Sequence, residues 1–307
     1  MVLKGMVRNI TLISWVLHHI PTIITSFWIG SKVDTDGILG IEFFRYGREI
    51  GKRILTKNVV IGFEYLINPV NSTRFFEFDF AFKNISESSS SILDISSPRL
   101  FSFYLADLYP ESCIRMINPD SRDIEISKEM ISLLKISNIT ATHESLDALI
   151  NNNTCYDYIV SISVIEHICG DDGDTEAIKQ IWEKLKPEGK LILTIPVDKK
   201  YWIEYRNDNQ YGLEENKPDD QIFFFQRFYD EKSIYERLLK PLQKKPDQIV
   251  WYGEKIEGTF IEYMRSVQKI GSKFTVKDPL TMKEKYQIYE NWEKMPGVGV
   301  CGLVIKK

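Results

Sequence analysis

Residues 158–197 decide the fold: YIVSISVI (158–165), EHICGDDGD (166–174), TEAIKQIWEKLK (175–186), PEG (187–189) and KLILTIPV (190–197). The first and last runs are almost uninterrupted apolar segments, the pattern of strands covered on both faces. Between them Ile178, Ile181, Trp182 and Leu185 recur at i, i+3, i+4 and i+7, which predicts an amphipathic helix over 175–186, stopped by Pro187-Glu188-Gly189. A strand, a helix and a strand of these lengths form a parallel pair joined by a crossover.

The same alternation extends upstream. Ile92–Ser96, Cys113–Ile117 and Asn138–Thr142 read as strands, and Arg99–Tyr109 and Ile124–Leu134 as the helices between them. Downstream, a polar and aromatic stretch runs to about Phe228, followed by a helix over Asp230–Leu239 and strands at Ile249–Tyr252 and Val298–Ile305. The fold class expected is therefore α/β, a doubly wound and mostly parallel sheet with helices on both faces. SESSSS at 86–91 reads as a linker. It divides the chain into an extension, residues 1–85, and an α/β domain, residues 86–307.

Within the extension, residues 40–55 look helical, whereas Phe76, Phe78, Phe80 and Phe82 alternate with Glu77, Asp79 and Ala81. That period of two reads as a half-buried strand or a Phe-rich lid over a pocket. Residues 9–31 carry no Asp, Glu, Lys or Arg and approach the roughly 20 residues that span a bilayer. His18, His19 and Pro21 interrupt them, so the run reads as a broken helix packed on the main domain or on a second subunit. Contact with a membrane surface is the alternative. Lys and Arg total 39 against 43 Asp and Glu, a net charge of −4, which gives no field to hold a nucleic acid. The four cysteines, Cys113, Cys155, Cys169 and Cys301, lack metal-ligand spacing and fit a reducing, cytoplasmic setting.

In such sheets ligands bind beyond the carboxyl ends of the strands, near the point where strand order reverses. The residues there are Asp94, Ser96, Ser97, Pro98 and Arg99 after the first strand, Asn118 and Asp120 after the second, Glu144 after the third, and Ser163, Glu166 and His167 after the fourth. Asp171, Asp172 and Asp174 around Gly173 read as a solvated turn and helix start rather than a metal site.

ILDISSPR (92–99), MINPD (116–120), SVIEHI (163–168) and LKPEGKLILTIP (185–196) together resemble the class I S-adenosylmethionine-dependent methyltransferases, and in particular members associated with polysaccharide and other cell-surface biosynthesis. The resemblance covers about residues 90–200. It implies a seven-stranded methyltransferase-like sheet whose last strand runs antiparallel to its neighbour, with S-adenosylmethionine as cofactor. Asp94, Ser96, Ser97, Arg99, Asn118, Asp120, Glu144 and Ser163 would be the residues around that cofactor. Asn118 or Asp120 would lie on the ribose, with an Asx turn as the alternative, and Glu144 near the adenine. The family's first loop is glycine-rich, and here Ser96, Ser97 and Pro98 stand in it. Ser97 could cap the following helix, and Arg99 could meet the cofactor carboxylate. His167, expected to titrate near neutrality, is the candidate base for a hydroxyl acceptor, a sugar or other small molecule, with Glu166 to orient it. Tyr201 and Tyr229 are candidates for acceptor binding. A homo-oligomer is compatible with this reading. A binding or scaffold protein that has lost the cofactor is the other.

Overall fold

The computed structural model describes residues 37–70, 72–86, 90–150, 153–207, 222–270 and 279–307. The uncharged run 9–31 lies outside them. Among the described residues three helices come first: α1 (Ile41–Ile54), α2 (Val59–Ile67) and α3 (Arg74–Lys83). The sheet then begins with β1 (Ser91–Ile95), α4 (Leu100–Leu108), β2 (Cys113–Asn118), α5 (Ser121–Leu134), β3 (Ile139–His143), α6 (Leu146–Ile150) and β4 (Tyr156–Ile162). After β4 come α7 (Gly173–Glu183), β5 (Leu185–Val197), a hairpin of β6 (Trp202–Arg206) and β7 (Phe223–Phe228), and the helical turns 231–242. The chain closes with β8 (Gln248–Glu254), α8 (Thr259–Ile270), α9 (Pro279–Lys285), β9 (Tyr286–Tyr289) and β10 (Gly299–Lys306).

The main sheet has eight strands in the order β3-β2-β1-β4-β5-β10-β8-β9. β1 to β5 are parallel, and β10 runs antiparallel to both β5 and β8, as expected of the closing strand. β9 adds an eighth, antiparallel edge strand. Strand order reverses between β1 and β4, which are hydrogen-bonded neighbours.

Side chains of successive strand residues enter different cores, as the pleat requires. Ile92, Val160 and Ile162 face one apolar cluster with Phe43, Phe78, Phe101 and Ile114. Leu93, Ile159 and Leu193 face the other with Ile178, Ile181 and Leu238. Residues of α1 and α3 thus share a core with the sheet itself.

Two sequence expectations are corrected. The Phe-rich segment is helix α3, not a strand: Phe75, Phe76, Phe78, Phe80 and Ala81 are all buried, so the helix is enclosed all round and a period of two carries no information about its faces. At Gly302 of β10 an added Cβ would sit 2.7 Å from the Phe80 ring, so the absent side chain lets α3 close on the sheet. Pro187-Glu188-Gly189, in turn, does not separate helix from strand. α7 ends at Glu183 and β5 already pairs Leu185 with Tyr156, then shifts register to pair Lys190 with Tyr158, so the Pro-Glu-Gly segment is a bulge inside the strand. Among the described residues no helix is long and apolar enough to cross a membrane.

Candidate functional site

The loops after β1 and β4 stand side by side at the reversal point, and both turn on a serine with positive φ: Ser96 (φ 51) and Ser163 (φ 49). A non-glycine residue in this region costs about 1 kcal/mol or more. The backbone conformation that glycine normally supplies is therefore kept here without glycine. Both serines are locked. Ser96 donates N–H (2.9 Å) and Oγ–H (3.2 Å) to the Ile117 carbonyl, and Ser163 N–H donates to the Thr194 carbonyl (2.9 Å).

Asp94, 1% exposed, anchors the first loop by accepting from Ser97 N–H (3.0 Å) and from the Ser102 hydroxyl. Burial pushes its carboxyl above the usual range against those hydrogen bonds. Ser97 does not cap the helix as its position suggested; its Oγ accepts from Ile162 N–H (3.1 Å) and ties the loop to β4.

The polar groups after β2, expected on the ribose, satisfy one another. Asn118 Oδ1 accepts from Asp120 N–H (2.9 Å), an Asx turn, and Asn118 Nδ2 donates to Asp123 (3.1 Å). Asp120 is the N-cap of α5 through Arg122 N–H (2.9 Å). Arg99 pairs with Asp123 and donates to Ser127 Oγ (3.1 Å), so its guanidinium braces α5 against the first loop. Glu144 pairs with Arg115.

At the end of β4 the polar groups are more deeply buried. His167 Nδ1 lies 2.7 Å from the Phe225 carbonyl, which can only accept, so Nδ1 carries the proton and the neutral ring presents a lone pair at Nε2, 3.9 Å from Glu166 Oε1. Burial pushes the imidazole down to about 4, and the charges of Arg74 and Arg206 act in the same direction. The ring does not titrate near neutrality as expected, because it is enclosed by the hairpin. Glu166, 1% exposed, behaves oppositely: burial pushes its carboxyl up to about 8, with Glu77 adding to the shift and Arg74 opposing it. Its Oε2 is buried without a hydrogen-bond partner among the described residues.

Glu77 of α3 was not anticipated. It accepts from Ser163 Oγ (2.8 Å), Thr194 Oγ1 (3.0 Å) and Thr73 Oγ1 (2.7 Å) and pairs with Arg74, so a residue of the extension bridges the ends of β4 and β5. The detectable signal was a carboxylate inside RFFEFDFAF, a segment too aromatic to leave a solvent face.

Asp174 is also corrected. It is buried, not solvated, and accepts from Arg237 (2.9 and 2.7 Å) and the Tyr229 hydroxyl (2.8 Å). Burial alone would raise its pKa, but Arg237, Arg227 and Tyr229 outweigh it and hold it below the usual carboxylate range. Arg227, buried, donates to the carbonyls of Ile168 and Gly170 and so fixes the loop that carries Glu166 and His167. The Tyr229 hydroxyl is committed inside this brace, and Tyr201 stacks obliquely beside it at 6.1 Å. Among the described residues no group of three His, Cys, Asp or Glu is disposed to hold a metal ion.

No protein-family model matches the chain, and no curated protein matches it. Solved structures of similar chain path include coclaurine N-methyltransferase bound to N-methylheliamine and SAH, at 12% identity over 74% of this chain and 68% of that one, TM-score 0.49. Another is the O-methyltransferase from a trans-AT PKS multienzyme of Brevibacillus brevis with S-adenosyl-L-homocysteine (13% identity, 83% and 79% covered, TM-score 0.48). A third is the [4+2]-cyclase SpnF (12% identity, 74% and 78% covered, TM-score 0.46). The likeness is one of chain path.

Proposed function

We propose that the chain is an S-adenosylmethionine-dependent methyltransferase acting on a hydroxyl of a sugar or other small acceptor. The observation that carries this reading is the pair of strained serines, Ser96 and Ser163, at the ends of the adjacent strands β1 and β4. Strain held in place by a full set of hydrogen bonds is a feature of ligand sites, and it falls where an open α/β sheet binds its ligand. The small side chains of Ser96 and Ser97 and the left-handed backbone at Ser96 fit close approach of a cofactor to the first loop. Asp94 shapes that loop, Asn118 or Asp120 would meet the ribose, Glu144 the adenine side, and Ser163 the end nearest β4.

When bound, the sulfonium supplies an electrophilic methyl group and its own leaving group. What the chain adds is alignment of the acceptor and a place for its proton. Glu166 is better suited to take that proton than His167, because its basicity lies near neutrality while burial leaves His167 a weak base. His167 then positions Glu166 and closes the site under Phe225. Helix α3 of the extension helps to close this end of the sheet through Glu77.

A second reading, a scaffold without cofactor, is favoured by one feature: Arg99, Asn118 and Asp123 satisfy one another where the carboxylate and ribose would bind. Calorimetric titration of the purified protein with S-adenosylmethionine and S-adenosylhomocysteine separates the two. Saturable heat supports the methyltransferase. No heat and no thermal shift with millimolar cofactor overturns it.

A further inference from the structure

The geometry points to Glu77 and Glu166 as one buried carboxyl pair, bridged by Ser163 and faced by Arg74, in which Glu77 keeps the negative charge and Glu166 handles the exchangeable proton. This rests on the methyltransferase reading for its role but not for its existence. Glu77 spends both carboxylate oxygens on protein donors, Thr73 on one and Ser163, Thr194 and Arg74 on the other. Glu166, three residues beyond the Ser163 that donates to Glu77 and within reach of its charge, leaves Oε2 without a partner among the described residues although the side chain is buried. A buried acceptor left open is expensive unless something fills it, and two carboxylates in one buried site cannot both ionise cheaply. One proton therefore resides in the pair. Glu77, with a full set of donors and a guanidinium, is the member that has no room for it.

An acceptor hydroxyl seated at Glu166 Oε2 would satisfy that atom. Glu166 first releases its resident proton to solvent; on reaction the acceptor's O–H bond then breaks, a new O–H bond forms on the ionised Oε2, and the electron pair stays on the acceptor oxygen. Glu77 is then a positioning residue: it touches no substrate, and its charge sets how readily Glu166 gives up and takes the proton. The groups facing Glu166 are Arg74 and Glu77 on α3, Ser163 and His167 on its own loop, and Tyr229 beyond β7.

The test is infrared difference spectroscopy of the full-length protein between pH 5 and 10, following the carbonyl band of a protonated carboxyl. The band should titrate in the wild type and vanish in Glu166→Gln. Glu77→Gln removes a like charge and frees Arg74, and both changes lower the midpoint, by about one pH unit or more. Arg74→Gln, at a partly exposed position, should raise it, and keeps the test decisive if Glu77→Gln does not fold. A role for Glu77 in packing alone would move neither midpoint. A band that survives in Glu166→Gln, or a midpoint unmoved by the Glu77 and Arg74 variants, overturns the pair. The titration needs neither cofactor nor acceptor, so its failure is distinct from failure of the calorimetric test.

Discussion

Replacing Glu166 with Gln should change the pH dependence of folding stability, and its sign follows from burial. The carboxyl is pushed up to about 8 in the folded chain from an ordinary 4.5, a difference of about 3.5. At about 1.4 kcal/mol for each pKa unit, that amounts to about 5 kcal/mol. A group whose pKa is raised by folding binds more protons in the native state between the two values, so stability falls as pH rises through that window and is flat above it. The wild type should therefore lose on the order of 3–5 kcal/mol between pH 5 and 8.5, a large part of the 5–15 kcal/mol typical of a domain. Gln is neutral throughout. Near pH 5 the variant should match the wild type or fall about 1–2 kcal/mol below it, because its amide brings a second donor into the buried site, and near pH 8.5 it should be the more stable protein by several kcal/mol. Urea unfolding at pH 5, 7 and 8.5 reads the crossing. A difference between the two proteins that is constant across these pH values would refute the reasoning, because it would mean that Glu166 does not titrate in the window.

His167 should act from the acid side: its pKa is depressed from 6.5 to about 4, so its contribution is present above 6.5 and is lost on acidification, by about 3 kcal/mol. His167→Gln, which can still donate to the Phe225 carbonyl, should flatten that acid limb in the same urea series, and an unchanged limb counts against a neutral buried ring. Asp174→Asn removes the buried carboxylate that Arg227 and Arg237 share, leaving Arg237 only the exposed Asp172 at 3.7 Å among the described residues, and should cost about 3–5 kcal/mol in urea melts; a cost below about 1 kcal/mol would mean the brace is dispensable. Ser97→Leu should abolish cofactor heat in calorimetry, by filling the approach to the first loop and removing the bond to Ile162 N–H. Wild-type affinity in a folded Ser97→Leu would move the cofactor elsewhere.

The strands were legible because burial on both faces leaves a mark that needs no partner to be read: YIVSISVI and KLILTIPV have no solvent side to encode. The same total burial hid α3, since Phe75 and Phe76 enter the core from adjacent positions and the period of two in Phe76–Phe82 coincides with neither face of the helix. The β6–β7 hairpin was invisible for a different reason. Its apolar residues meet α8 and the loop at His167, as in the 6.1 Å approach of Phe228 to Phe260 and the 5.0 Å approach of Phe225 to His167, and neither contact is local in sequence. The strand ends that carry the candidate residues could be read from the alternation alone. Their partners could not, because Asp174 with Arg237 and Glu77 with Thr194 are joined only by tertiary packing.

The placement of buried charge separates the site from the scaffold. Among the described residues five carboxylates are 1% exposed or less: Glu77, Asp94, Glu166, Asp174 and Glu254. All five lie at the carboxyl edge of the parallel strands, Glu254 as the last residue of β8. Stability alone would favour apolar side chains there, since desolvating an ion costs several kcal/mol. Four of the five are fully engaged. Asp94 holds the first loop, Asp174 the arginine brace, and Glu77 the ends of β4 and β5. Glu254 accepts from the N–H groups of Gly258, Phe260 and Val298. Asp94, Glu77 and Asp174 shape the chain around the reversal point, and Glu254 holds the loop after β8, three strands away from β4 in the sheet, which is a structural return for their burial. Glu166 alone keeps an oxygen without a donor, and it does so in the loop that the arginine brace immobilises. On the proposed function, a rigid frame built around that unsatisfied acceptor would be preorganised for a group that arrives from outside the chain.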